Sequence, residues 1–257
     1  MNYIAAAYSD KGTVKETNQD SVMIKIANTV LGPIAFCMVC DGMGGLQSGE
    51  VASAFVIKTF EQWFHHYLPG MLGERGYWNC IRDSWDVLVK ACNENIAAYG
   101  KSKGYSLGTT LSGVLVIKNQ FLTVNVGDSR VYMVNEKGMT QVTKDQTVVA
   151  REIAEGRLTE EEAEKDSRRS ILLQCIGASD RVTPEYTLNC LSDSSFLLIC
   201  SDGFRHELKG SEIVKELSDE SVKDVKTIRK SLCRLTDMAK KRGEKDNITA
   251  AVIKAMG

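Results

Sequence analysis

Short apolar segments arrive in blocks along this chain, and segments with helical periodicity arrive in pairs. That order limits the fold more than any other feature. Residues 4–8, 21–26 and 34–40 are short, apolar and bounded by polar or glycine-containing turns, which is the pattern of strands. Two helices follow. Ala52, Val56, Phe60, Trp63 and Tyr67 recur at steps of three and four, and so do Ile81, Trp85, Leu88, Cys92, Ile96 and Tyr99. Such spacing collects each set on one helix face, which needs a partner surface. Ser48 is placed to cap the first helix, with Glu50 in its first turn. Strands return at 110–117 and 121–126, joined by Lys118-Asn119-Gln120, and at 131–134 and 139–142, joined by Asn135-Glu136-Lys137-Gly138. Both pairs read as hairpins. Leu122, Val124 and Val126 alternate with Phe121, Thr123 and Asn125, so one face of that strand is the more apolar. The charged stretch 151–170 predicts a helix followed by a surface excursion. Strands at 186–189 and 196–200 lead to a helix with Val222, Val225, Ile228, Leu232, Leu235 and Ala239 on one face, and a last strand covers 248–253. This ordering is α+β and not a βαβ alternation. The expected architecture is an α-β-β-α sandwich: two antiparallel sheets packed together and flanked by helix pairs.

With 43% apolar and 25% charged residues in 257, the chain can bury a substantial core, and intrinsic disorder is excluded. It shows no linker, repeat or low-complexity tract, so one domain over 1–257 is expected. The longest unbroken apolar run, 34–40, is far short of the roughly 20 residues that cross a bilayer, so no membrane partner is expected. Lys and Arg total 32 against 33 Asp and Glu, and the basic excess of a dedicated nucleic-acid binder is absent. Residues 1–7 lack the charge and apolar length of an export signal. Eight cysteines without such a signal point to reduced thiols in the cytoplasm. Cys37, Cys40, Cys190 and Cys200, in or beside strand-like runs, read as small buried hydrophobes.

Four acids share one kind of address. Asp41 follows the run 34–40, Asp128 follows 121–126, Asp202 follows 196–200, and Asp246 opens the last strand. An Asp beside Gly at a strand end is by itself a turn residue. Four of them on core strands would meet at one rim of the sheets. Clustered carboxylates repel, and burying them is costly unless a cation is present. The donors are oxygens, with no His or Cys in a zinc-like arrangement, which suits Mg²⁺ or Mn²⁺. Gly42 leaves room for its backbone carbonyl to approach an ion. A pair of such ions clamps phosphate oxygens and acidifies a bridging water, which predicts hydrolysis of phosphate esters by direct attack of that water.

These residues resemble a known family. Ser9-Asp10-Lys11-Gly12 through Asn18-Gln19-Asp20, Asp41-Gly42-Met43-Gly44-Gly45, Leu107-Gly108-Thr109-Thr110, Gly127-Asp128-Ser129-Arg130, Ser201-Asp202-Gly203 and Asp246-Asn247-Ile248-Thr249 resemble, in order, the motifs of the metal-dependent protein phosphatase 2C (PPM) family, in its bacterial form. The resemblance spans residues 3–254. It implies a Ser/Thr protein phosphatase with two to three Mn²⁺ or Mg²⁺ ions, acting on phosphoserine and phosphothreonine in proteins that a Ser/Thr kinase has modified. By position, Asp41 would bridge two metals, the Gly42 carbonyl would bind one of them, and Asp202 and Asp246 would complete the other. Asp128, with Asp202, would hold a weaker third ion. Asp20 would orient metal-bound water. Residues 147–172 would form the flap beside the site, with Arg168 and Arg169 either facing substrate or simply solvated. The chain departs from the family at Lys15, where Arg is usual, and at Gln19, where Glu is frequent. Lys is a point charge where Arg is a bidentate fork, so Lys15 should contact phosphate more loosely or not at all. Gln19 should weaken the water shell of the second metal. Met43 stands where eukaryotic members carry His, so a metal-bound water is the expected proton donor.

Other readings compete. Cys175 and Arg181 match the bare Cys-x5-Arg pattern of cysteine phosphatases, but Asp180 would repel phosphate and only one glycine lies between them. Cys37 and Cys40, three apart on a strand, point to opposite faces and cannot share a metal. His65 and His66 diverge on a helix and read as surface residues. His206, close behind Asp202, is a candidate proton donor. A catalytically weak or inactive phosphoprotein-binding regulator of the same fold is the alternative from another class.

Overall fold

The computed structural model describes residues 2–43, 48–192, 194–218 and 220–256. The chain begins with β1 (Asn2–Asp10), β2 (Asp20–Thr29) and β3 (Gly32–Met43), then α1 (Gly49–His66), the single turn α2 (Leu68–Met71) and α3 (Tyr77–Lys103). Next come β4 (Gly108–Thr109), β5 (Leu111–Ile117), β6 (Gln120–Val126), β7 (Arg130–Asn135) and β8 (Gly138–Gln141). Helices α4 (Val148–Ala154) and α5 (Glu160–Lys165) precede β9 (Glu185–Cys190) and β10 (Phe196–Cys200). The chain closes with α6 (Asp202–Arg205), α7 (Gly210–Glu216), α8 (Val225–Lys241) and β11 (Ile248–Met256).

One sheet runs β1-β11-β10-β7-β8 and the other β2-β3-β5-β6-β9, with β4 beside β3, and all pairings are antiparallel. Strand β3 shows why the apolar run is unbroken. Alternate side chains of a strand face opposite ways, and both faces of β3 are covered. Ala35, Cys37 and Val39 pack on Leu197, Ile199 and Ala251 of the opposing sheet. Phe36, Met38 and Cys40 pack on Phe60 and Trp63 of α1 and Trp85 of α3. The Phe36 ring stacks on Trp85 and on Phe64 at centroid distances of 5.6 and 5.8 Å, and each such pair adds about 1 kcal/mol beyond area burial. On the far side, Leu198, Cys200 and Val252 meet Ile228, Leu232, Leu235 and Ala239 of α8. The layers are therefore helix, sheet, sheet, helix, as the sequence predicts, and Cys37 and Cys40 do belong to different layers.

Several local expectations fail for identifiable reasons. Ser48 sits at the N-cap of α1, but its backbone is left-handed (φ 86°) and its hydroxyl caps nothing. Tyr67 falls just past the end of α1 and is exposed, and Phe64 and Leu68 fill the space instead. In α3 the buried stripe passes through Val89 and ends at Gly100, leaving Tyr99 exposed. Val225 is the first residue of α8 and is exposed, whereas Val222 is buried ahead of the Asp224 cap. Cys190 ends an edge strand and is exposed, unlike Cys37, Cys40 and Cys200. The charged stretch holds two short helices, the second capped by Thr159 and Glu162 in a reciprocal capping box. Its base is closed by backbone bonds from Val148 N–H to Ile171 (2.9 Å) and from Leu173 N–H to Gln146 (2.8 Å).

Candidate metal centre and active site

The ends of strands from both sheets supply the acids. Asp41 in β3 lies directly opposite Asp20 in β2. Asp41 is held by a mutual pair of bonds with Thr110: its N–H donates to the Thr110 hydroxyl and its carbonyl accepts from the Thr110 N–H, both at 2.9 Å. Asp128 lies in the turn from β6 to β7. Asp202 is the first residue of α6, and Ser201, which links it to β10, donates to Asp20 Oδ2 across the gap between the sheets (2.9 Å). Asp246 lies two residues before β11. Asn247 beside it ties down the loop that carries Lys15 and Gln19. Its amide donates to the Lys11 and Thr17 carbonyls (2.9 and 3.0 Å) and its Oδ1 accepts from Gln19 N–H (2.8 Å).

Glycine is required here by close approach. A Cβ on Gly42 would stand 2.3 Å from the Gly49 carbonyl oxygen, and one on Gly203 would stand 2.2 Å from that of Asn247. The Asp-Gly pairs are thus explained by packing of α1 against β3 and of α6 against the start of β11. Gln19 reinforces the first contact. Turned so that both its ends are satisfied, its amide donates to the Gly42 carbonyl and accepts from Gly49 N–H, each at 3.2 Å. Gly44 and Gly45 lie outside the described residues.

The electrostatics are those of a crowd of like charges. Burial pushes Asp20 up to about 7, against hydrogen bonds from Thr249 and Ser201, and the charges of Asp202 and Asp246 add to the rise. Burial raises Asp41 well above the carboxylate range, with further contributions from Asp20, Asp202, Asp128 and Asp246. Burial and then Asp202 lift Asp128 to about 7, while Arg205 pulls it down. One carboxylate oxygen of Asp20 and one of Asp202 are buried without a hydrogen-bond partner. Lys15 answers part of this charge from 2.8 Å at Asp246 Oδ1. Burial works against its ammonium, but Asp246, then Asp41 and Asp202, outweigh that and raise its pKa.

Orphaned carboxylate oxygens in an excess of negative charge fit one or more hard cations. Among the described residues, no three acidic, His or Cys side chains already close on one point as a finished metal cage. Asp246 is turned to Lys15, and Asp202 faces His206. All seven residues expected from the sequence (Lys15, Asp20, Asp41, Gly42, Asp128, Asp202 and Asp246) come to this end of the sandwich. His206 comes too. Its Nε2 lies 3.6 Å from Asp202 and its Nδ1 3.7 Å from Glu244. Burial favours the protonated Glu244, but His206 and the N–H groups of Asp246 and Lys245 prevail and hold its pKa low. Sequence reasoning missed Glu244, Asn247, Ser201 and Arg205. The basic pair Arg205-His206, one helical turn from Asp202, was the available signal.

Other sequence candidates do not join the site. Cys175 is buried beside β4, and burial raises its thiol pKa against hydrogen bonds involving Ser179 and Ala178, which disfavours a nucleophilic thiolate. His65 and His66 are exposed on the last turn of α1. Arg168 is paired with Asp166, and Arg169 donates to the Glu164 carbonyl (3.1 Å).

Comparison with known proteins agrees with this geometry. A family model described as protein phosphatase 2C matches residues 12–252. The serine/threonine protein phosphatase PstP of Mycobacterium tuberculosis is 33% identical over 249 residues, which is 96% of this chain but only 44% of PstP. Protein phosphatase PhpP of Streptococcus pneumoniae is 28% identical over 250 residues, covering 95% of this chain and 94% of PhpP. Among solved structures, the serine/threonine phosphatase of S. agalactiae superposes with a TM-score of 0.83 at 27% identity, over 99% of this chain and all of that one. The catalytic domain of PstP, solved in complex with two manganese ions, superposes with a TM-score of 0.77 at 30% identity, over 99% of both chains. With a family model spanning nearly its whole length and the same fold in these relatives, the chain belongs to the protein phosphatase 2C family.

Proposed function

We propose that the chain is a metal-dependent protein serine/threonine phosphatase that hydrolyses phosphoserine and phosphothreonine. The observation that carries this is the convergence of Asp20, Asp41, Asp128, Asp202 and Asp246 at one end of the sandwich, with buried carboxylate oxygens of Asp20 and Asp202 left unpartnered. In this reading Asp41, the Gly42 carbonyl, Asp202 and Asp246 would hold two divalent ions, while Asp128, expected from the sequence to offer oxygens with Asp202 to a weaker third, stands beside Arg205. Bound there, Mn²⁺ or Mg²⁺ supplies charge neutralisation for the phosphate and an acidified water as nucleophile. The two manganese ions of the PstP structure favour Mn²⁺. Asp20, held by the Ser201 hydroxyl, would orient water at the site. Lys15 releases Asp246 to metal and turns its ammonium to substrate phosphate. Residues 147–172, carrying α4 and α5, act as the flap, and 1–257 work as one catalytic unit.

The names of PstP and PhpP support protein substrates, and in this reading a Ser/Thr kinase has modified them. A cytoplasmic setting accords with eight unpaired cysteines, and no helix among the described residues is long and apolar enough to cross a membrane. One contact favours the alternative of a weakly active binding protein: the Lys15 ammonium sits against Asp246 where an ion is needed.

Hydrolysis of a phosphothreonine peptide separates the readings. Turnover with Mn²⁺ that excess chelator abolishes is the expected result. Phosphopeptide binding without turnover under Mn²⁺ or Mg²⁺ would establish the binding protein instead. Cys175→Ser should stay within about twofold of wild type, since a buried thiol held protonated is no nucleophile. Loss of activity in that variant with the fold intact would redirect the mechanism to the thiol.

A further inference from the structure

The run Ser201-Asp202-Gly203-Phe204-Arg205-His206 places two basic side chains within a turn of Asp202, and α6 sends them to different partners. His206 lies between Asp202 and Glu244. Arg205 reaches Asp128. Its Nη2 donates to the Asp128 carbonyl at 3.2 Å and lies 3.5 Å from Asp128 Oδ2 and 3.7 Å from Asp145 Oδ2. Asp145 is itself gripped by Arg130, Nε to Oδ1 at 2.8 Å and Nη2 to Oδ2 at 2.6 Å. Two carboxylates and two guanidiniums thus form a locally neutral quartet. Water has little access to it: the side chains of Asp128, Asp145 and Arg205 are only 7, 11 and 14% exposed. Arg205 Nε is buried with no hydrogen-bond partner. Hydrogen bonding alone therefore accounts poorly for its position, and its charge beside Asp128 accounts for it better.

We propose that Arg205 is a built-in cation that takes the place of a third divalent ion at Asp128, leaving a site that fills with two ions only. This rests on the two-ion reading of Asp41, Gly42, Asp202 and Asp246. A guanidinium stays charged at every pH the protein tolerates and cannot be chelated away. An ion entering beside Asp128 would be pressed against that fixed positive charge where water screens poorly. Its remaining acidic donor, Asp202, is already committed to the two-ion core. A purely structural role, bracing the turn before β7 against α6, needs the 3.2 Å bond to the Asp128 carbonyl and not the charge.

Mn²⁺ binding to the full chain, followed by the electron paramagnetic resonance signal of the free ion, separates these roles. Wild type and Arg205→Lys should each bind two ions. Arg205→Gln, verified as folded by its thermal melt, should bind a third at least about tenfold more tightly than any third ion in wild type. Asp128→Asn in the Arg205→Gln background should remove the added ion. With Arg205 in place, Asp128→Asn should leave two ions at saturation, and that comparison holds even if Arg205→Gln does not fold. The proposal is overturned if wild type fills three sites together and Asp128→Asn removes one, if Arg205→Gln binds as wild type does, or if Arg205→Lys gains the same ion. A wild type that binds no Mn²⁺ at all would overturn the two-ion reading beneath it.

Discussion

Asp202→Ala is expected to lower phosphopeptide turnover by at least about a thousandfold, whereas Asp128→Ala should remain measurably active and need more metal. Asp202 lies two residues past the end of β10, has one carboxylate oxygen without a partner, and raises the pKa of Asp20, Asp41 and Asp128 alike, so it lies at the centre of the acidic group. Removing the proposed metal ligand there would forfeit charge stabilisation of several kcal/mol, and about 4 kcal/mol is a thousandfold in rate. Asp128 is different because Arg205 neutralises it. Truncating Asp128 leaves that guanidinium sharing Asp145 with Arg130, a net positive charge beside the core that repels incoming cations. The concentration of Mn²⁺ needed for half-maximal rate should therefore rise, while the saturated rate falls less than in Asp202→Ala. Titrating both variants with Mn²⁺ at saturating peptide reads the two effects apart. If both turned over like wild type at the same Mn²⁺ concentration, the carboxylate assignment would be wrong.

The layers and the acidic cluster were legible because both arise from local rules. Runs of strand length bounded by turns gave β3, β5, β6 and β10, and i, i+3, i+4 periodicity gave α1, α3 and α8. An acid directly after a core strand needs no tertiary knowledge to be suspected once several recur. What stayed hidden depends on distant segments meeting. Asn247 holds Lys11, Thr17 and Gln19 across more than 200 positions, and no spacing announces that. Gly42 invited a functional explanation, yet its lack of a side chain answers to the Gly49 carbonyl. Ser48 had the right residue type for a cap, but a left-handed backbone aims its hydroxyl elsewhere. Periodicity points Tyr67, Tyr99 and Val225 inward because it carries no information about where a helix ends or drifts off its seam, and all three are exposed. The pair Arg205-His206 signals only a basic feature near Asp202, and it is the meeting of Arg205 with Asp128 and Asp145 that gives it meaning.

Freed of metal, the protein should become less stable as pH rises from about 4 to about 7, and Mn²⁺ should reverse that loss. Asp20 and Asp128 are held up to about 7 by burial, and Asp41 is raised well above its ordinary value of 3.8. Between these limits the folded chain binds more protons than the unfolded one, so the slope of unfolding free energy against pH is negative. The stabilising contribution is complete below the unfolded value and disappears as pH passes through the folded one. Surface carboxylates such as Asp166 and Glu212, held near 2 by Arg168 and Arg242, act in the opposite sense, but only as pH falls below about 4. Because the buried acids raise one another, their effects are shared rather than summed. A net loss of a few kcal/mol is expected, or on the order of 10 °C in melting temperature for a chain of this size. Divalent ions bind the ionised carboxylates of the folded state, so their stabilisation should grow with pH, reaching about 2.7 kcal/mol at a hundredfold excess over Kd for each ion bound. Thermal melts at about pH 5 and about pH 8, each with chelator and with Mn²⁺, check both signs. A chelated protein that melts higher at the alkaline end, or an Mn²⁺ effect that is largest at the acid end, would mean that the charges of Asp20 and Asp41, like that of Asp128, are compensated within the fold. The cluster would then have no need of a cation.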